Sequence, residues 1–129
     1  MLDHVALEVS DLPRAARFYD ALMRPLGARR IVDRPDAIGY GRDHPQLWIM
    51  RRADHGNANG HAHPHASRGH VAIAAAGRRA VDAAHRAGLA AGGRDGGAPA
   101  PRPFGPRGYY SGYLLDPDGA WLELVTGSR

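Results

Sequence analysis

The sequence predicts an α+β domain made of two βαβββ modules, and two observations carry that expectation. The first is an internal repeat. Residues 3–9 read DHVALEV and residues 69–75 read GHVAIAA, so His4 aligns with His70, Val5 with Val71, Ala6 with Ala72 and Leu7 with Ile73 at an offset of 66 residues (70 − 4). The second is the pattern downstream of each copy, where a helical segment closed by glycine gives way to short alternating segments.

Taken in order, Val5, Leu7 and Val9 form one apolar face of a strand at period two, with His4, Ala6 and Glu8 on the other. The segment SDLPRAARFYDALMRPLG then reads as a helix. Ser10 or Asp11 can cap it and Pro13 suits its first turn. Phe18, Leu22, Met23 and Leu26 recur at helical spacing before Gly27. Three short strands come next: RRIVD, AIGYG and QLWIM. RRADHGNANGHAHPHASR, without periodicity, reads as a connection, which divides the chain into module one (about 1–53), a linker (about 54–67) and module two (about 68–129). In module two, GRRAVDAAHRAGLAAGG gives an Ala-rich helix ending at Gly92 and Gly93, and YYSGYLLD and AWLELV give strands. GGAPAPRPFGPRG reads as irregular.

Composition narrows the function classes. The chain has 129 residues and no cysteine, which suits one domain and removes disulfides, thiolate metal sites and cysteine nucleophiles. No apolar run approaches membrane-spanning length, and the N-terminus lacks the pattern of a signal peptide, so the expectation is a cytoplasmic protein with no membrane partner. The net charge is +4 and the pI near 10.1, but all 17 basic residues are arginine and they are scattered, with no basic run interleaved with aromatics. Nucleic acid is therefore not the expected partner, and a neutral or anionic small molecule is.

The last strand holds a carboxylate on an unusual face. In DPDGAWLELV the turn residues Asp116, Pro117, Asp118 and Gly119 lead into a strand whose Leu122 and Leu124 make the apolar side, so Glu123 points away from it. If each helix packs on the Val and Leu face of its module, parity puts His4, His70 and Glu123 together on the opposite, concave face. Two imidazoles and a carboxylate make a facial set suited to Fe2+ or a similar divalent ion, with coordination positions left for substrate. Their donor atoms are expected about 3 to 4 Å apart, as ligand bonds near 2 Å require. The competing reading is a hydrogen-bonded polar cluster without an ion.

The repeat, DHVALEVSDLPRAARFYDAL, GHVAIAA and above all YLLDPDGAWLELV resemble the vicinal oxygen chelate superfamily, which contains glyoxalase I, extradiol dioxygenases and the bleomycin- and fosfomycin-resistance proteins. The resemblance implies a cupped eight-stranded mixed sheet with helices on its convex side. It also implies a divalent metal in the cup (Fe2+, Mn2+, Zn2+ or Ni2+) and a substrate that chelates it through neighbouring oxygens. It puts the metal ligands at His4, His70 and Glu123. Aligning DHPQLWIM with DGAWLELV sets Trp48 opposite Glu123, where glyoxalase I carries a fourth ligand, and an indole has only an N–H donor. A register slip would offer Gln46 instead. Tyr113, ten residues before Glu123, matches a tyrosine of the extradiol enzymes and is the candidate for hydrogen bonding the substrate.

Several further residues complete the expected site. Glu8 shares the face of His4 and is either a base or an ion-pair partner of Arg102 or Arg107. Trp48, Trp121, Tyr110 and Arg102 are substrate-binding candidates, the tryptophans either stacking on a ligand or filling the cup. His55, His61, His63 and His65 form either a metal tract or a solvated connection. Two functions remain open. One is a metal-dependent glyoxalase- or dioxygenase-like enzyme. The other is a non-catalytic, bleomycin-resistance-like binding dimer with an empty metal site, though a cleft for cationic glycopeptides should be acidic and this chain is basic. Open sheet edges predict a homodimer in either case.

Overall fold

The computed structural model describes residues 1–53, 69–105 and 107–127. Module one runs β1 (Val5–Val9), α1 (Leu12–Met23) with a 3-10 turn at Arg24–Leu26, β2 (Arg29–Asp33), β3 (Ala37–Gly41) and β4 (Leu47–Arg51). Module two runs β5 (His70–Ala74), α2 (Arg78–Ala90), β6 (Arg94–Pro101), β7 (Tyr110–Leu115) and β8 (Trp121–Thr126). Local chemistry explains the limits of α1. The Asp11 side chain accepts the Arg14 N–H at 3.0 Å and Pro13 sits in the first turn. At the far end Gly27 takes a left-handed conformation (φ 74°) and donates its N–H to the Arg24 carbonyl.

Among the described residues, eight strands form two four-stranded mixed sheets, ordered β1-β4-β3-β2 and β5-β8-β7-β6. In each, the first strand runs parallel to the last, and the others are antiparallel. The same connection occurs twice, as the repeat requires.

Both sheets turn their apolar faces into one core. Val9, Leu47 and Ile49 from the first sheet and Leu114, Leu122 and Leu124 from the second join Phe18, Leu22, Val81 and Ala84 of the helices in a single buried cluster. Gly88 of α2 allows the close approach, because a Cβ there would lie 2.5 Å from Leu114 Cδ1 and 3.1 Å from Leu22 Cδ1. With the apolar faces directed inward to a shared core, the two polar faces look outward: Ala6 and Glu8 on β1, and His70, Ala72 and Ala74 on β5, are exposed.

β6 corrects the sequence reading, which left residues 96–108 irregular. Residues 94–101 form a strand because they lie at the sheet edge, where Pro99 and Pro101 need not donate to a second neighbour. The ladder to β7 shifts register on both sides of Gly97, whose φ of 151° only glycine adopts readily. Irregular pairing of this kind erases the period-two signal.

The DPDG turn does more than reverse the chain. Asp116, fully buried, accepts the Tyr19 hydroxyl at 2.7 Å and the N–H groups of Asp118 and Ala120 at 2.9 Å. Asp118 accepts the Ser10 hydroxyl at 2.6 Å. One turn of module two is thereby tied to the start and middle of α1 in module one.

Candidate functional site

The register fixes which side chains share a face. β5 and β8 set Ala72 beside Glu123, and β1 and β4 set Ala6 beside Trp48 in the corresponding way. Trp48 is thus the module-one counterpart of Glu123, and Gln46, two residues earlier, is the counterpart of Trp121. The register slip does not occur.

On the outward face of module two, His70 Nε2 and Glu123 Oε2 stand 3.0 Å apart. Glu123 is only 3% exposed, although its neighbour His70 is open to solvent. Its other oxygen accepts the hydroxyls of Tyr109 at 2.8 Å and Tyr113 at 3.0 Å. Burial opposes ionisation of Glu123. The hydroxyls of Tyr109, Tyr113 and Ser111, with His70, outweigh burial and hold its carboxyl below the usual glutamate value. The tyrosines respond in the opposite sense: burial, then the bond to Glu123, pushes Tyr109 up to about 12 and raises Tyr113. The result is a carboxylate kept charged in a recess.

The three expected metal ligands do not assemble within one chain. His4 Nδ1 pairs with Asp3 at 2.7 Å, and among the described residues no group of three His, Asp or Glu side chains could hold an ion. The reason lies in the packing, since β1 and β5 belong to different sheets whose polar faces both point away from the common core. His70 and Glu123 form one part of the expected set, and His4 stands apart from them.

Other candidates fall on either side of the same parity. Tyr113 lies on the Glu123 face, with its ring against His70. Tyr110 does not: it faces α2, donates to Asp82 at 2.5 Å and lies under Arg78. The alternation that brings Tyr113 to Glu123 brings Ser111 and Tyr109 there too and turns Tyr110 away, so Tyr109 was legible from the sequence as the better candidate. Arg102 is held structurally, donating to the carbonyls of Ala98 and Ser111 and lying 5.4 Å from the Tyr113 ring centre. Glu8 is exposed on β1, in register with Met50. The tract with His55, His61, His63 and His65 lies outside the described residues.

Both tryptophans lie over glycines. A Cβ on Gly39 would meet the Trp48 ring at 3.3 Å, and one on Gly96 would meet Trp121 Cζ3 at 2.5 Å. Arg34 lies 5.6 Å from the Trp48 ring centre, a cation–π distance. Trp121 instead borders a cleft of about 560 Å³ lined also by His70, Gly96 and Tyr113. That volume suits a small organic ligand.

Comparison with known proteins agrees with this architecture. The model of the Glyoxalase/Bleomycin resistance protein/Dioxygenase superfamily matches residues 1–124. Among solved structures, a glyoxalase/bleomycin resistance protein from Albidiferax ferrireducens T118 is 30% identical, with a TM-score of 0.79 over 95% of each chain. A glyoxalase-related enzyme from Fulvimarina pelagi is 23% identical (TM-score 0.72, covering 97% of this chain and 86% of that one). The fosfomycin resistance protein FosX from Mesorhizobium loti is 21% identical (TM-score 0.66, covering 99% and 92%). At the last two identities the likeness is one of fold. A search of curated proteins finds no match.

Proposed function

Because the chain belongs to the glyoxalase/bleomycin resistance protein/dioxygenase superfamily, we propose that it is a divalent-metal-dependent enzyme acting on a small substrate with vicinal oxygens. Its site is shared across a homodimer. The observation that carries this reading is the pairing of His70 Nε2 with Glu123 Oε2 at 3.0 Å, beside a substrate-sized cleft. An imidazole and an ionised carboxylate at that separation are the donors that a borderline divalent ion takes. The third donor is His4 of a second copy. The outward-facing β1 of one chain and β5 of another, each a sheet edge among the described residues, complete a cup between them.

When bound, the ion supplies Lewis-acid polarisation of a substrate oxygen. The chain's own groups do the rest. Tyr109 and Tyr113 hold protons on their hydroxyl oxygens against Glu123, fixing its orientation and charge as carboxylate partners in the surrounding shell do at metal sites. Tyr113, facing the cleft, is the group that hydrogen-bonds substrate. Trp48, where a fourth ligand would otherwise stand, provides an apolar wall, and Glu8 on the same face is the candidate base.

One observation favours the second reading, a binding protein without metal: both Glu123 oxygens already have partners. Metal analysis of untagged protein separates the two, one ion per chain being expected for the enzyme. Sharing is tested by complementation. His4→Ala and Glu123→Gln homodimers should each lose metal, whereas a mixed dimer of the two should regain one ion per dimer, since one of its cups then has all three native ligands. Failure of the mixed dimer to regain metal overturns the shared site.

A further inference from the structure

We propose that Trp121 is the specificity-determining residue of the site, a stacking wall that selects a planar aromatic ligand over an aliphatic one. The inference rests on the reading of His70 and Glu123 as the metal end of the cleft, and goes beyond it to the shape of the substrate. It starts from the position of Trp121 two residues before Glu123 on β8, which puts both on the same face. In register Trp121 pairs with His70 across β5 and with Leu115 across β7. The indole then extends to β6, where its Cζ3, Cε3 and Cη2 atoms fill the space above Gly96, at 2.5, 3.2 and 3.3 Å from where a Cβ would stand. Gly96 therefore seats the ring, having no side chain of its own.

The rest of the cleft agrees with an aromatic occupant. Among the described residues its lining is His70, Gly96, Tyr113 and Trp121, three of them rings and none a carboxylate or guanidinium. The nearby cation, Arg102, is held by the carbonyls of Ala98 and Ser111. His70 and Tyr113 are thus the polar groups at one end, and the indole is the apolar surface beside them. A ring carrying two adjacent oxygens meets both, with its oxygens toward His70 and Tyr113 and its face on Trp121. Offset or edge-on ring contacts of this kind add to simple area burial.

The test uses zinc-loaded protein, since zinc brings no redox turnover, and two bidentate oxygen probes, catechol and acetohydroxamate, measured by calorimetry. Trp121→Leu should weaken catechol about tenfold, change acetohydroxamate less than about twofold and leave zinc affinity unaltered. Trp121→Phe should restore most of the catechol affinity. Gly96→Ala, which displaces the indole without removing it, should weaken catechol as well. The proposal is overturned if the Leu variant binds catechol as the parent does, or if both probes weaken alike. If the parent binds no zinc, the metal reading falls and stacking is decided on metal-free protein. Quenching of tryptophan emission by catechol that disappears in Trp121→Leu upholds the wall, and its persistence or absence in both proteins removes it.

Discussion

Glu123 and Trp48 stand at the same register position in two copies of one module, yet they face different surroundings. Around Glu123 the sheet supplies Tyr113 from the neighbouring strand, Tyr109 beyond it and His70 from the parallel strand. Around Trp48 the neighbour at the place of Tyr113 is Gly39, whose bare Cα makes room for the indole. A carboxylate could be buried in module two because three polar side chains compensate it, and module one has the glycine where the first of those would be. The turns before these strands differ too. Asp116, which follows Leu115, has Arg42 as its counterpart, following Gly41, and Arg42 donates to the Leu26 carbonyl at 3.0 Å. Module one therefore has no carboxylate at the place from which module two grips Tyr19. The scaffold was duplicated, and its chemistry was not.

The sharpest way to break this comparison is to exchange the two side chains. Glu123→Gln should lower metal affinity by more than about a hundredfold, a larger loss than the 10–100-fold typical of changing a residue that only supports a ligand. Trp48→Glu, which gives module one the missing carboxylate, should tighten it. Calorimetric titration of both variants beside the parent measures the pair, and no change in either would mean that the equivalence of position has no bearing on metal binding.

A second effect concerns stability. Asp116→Ala strips a partner from the buried Tyr19 hydroxyl and from two backbone N–H groups, and should cost about 2–3 kcal/mol in urea denaturation. Asp43→Ala, at the module-one place of Asp118, lies on an exposed turn and should change stability by less than about 0.5 kcal/mol. Equal losses would show that the clamp is not what joins the modules.

The smallest effect is in pH dependence. The Glu123 carboxyl sits below its ordinary value, so its bonds stabilise the fold above that value and are lost as pH falls through the lowered one. Tyr109 is displaced upward to about 12, so its contribution is complete below about pH 10 and is lost as pH rises through about 12. Stability profiles of the parent and Tyr109→Phe should therefore converge at the alkaline end and, less fully, at the acid end. Parallel profiles would separate Tyr109 from Glu123.

Much of this was legible in the sequence. The repeat at an offset of 66 indicated the two modules, and strand parity put Glu123 and His70 on a common face, because a pleated strand alternates whatever surrounds it, while Tyr113 was legible only through its spacing from Glu123 in the family resemblance. The same parity applied one step further would have chosen Tyr109 over Tyr110. β6 was not legible, since an edge strand with two prolines and a bulge at Gly97 has no period to read. Nor could parity give the direction in which each face looks. Alternation within a strand is a local property of the backbone, whereas the relative orientation of two sheets depends on which apolar surfaces meet. Here Phe18, Leu22, Val81, Leu114 and Leu122 meet in one core. That burial turns His4 and Glu123 outward on separate faces, and only the tertiary structure, through that shared core, decided that the two residues stand apart within a single chain.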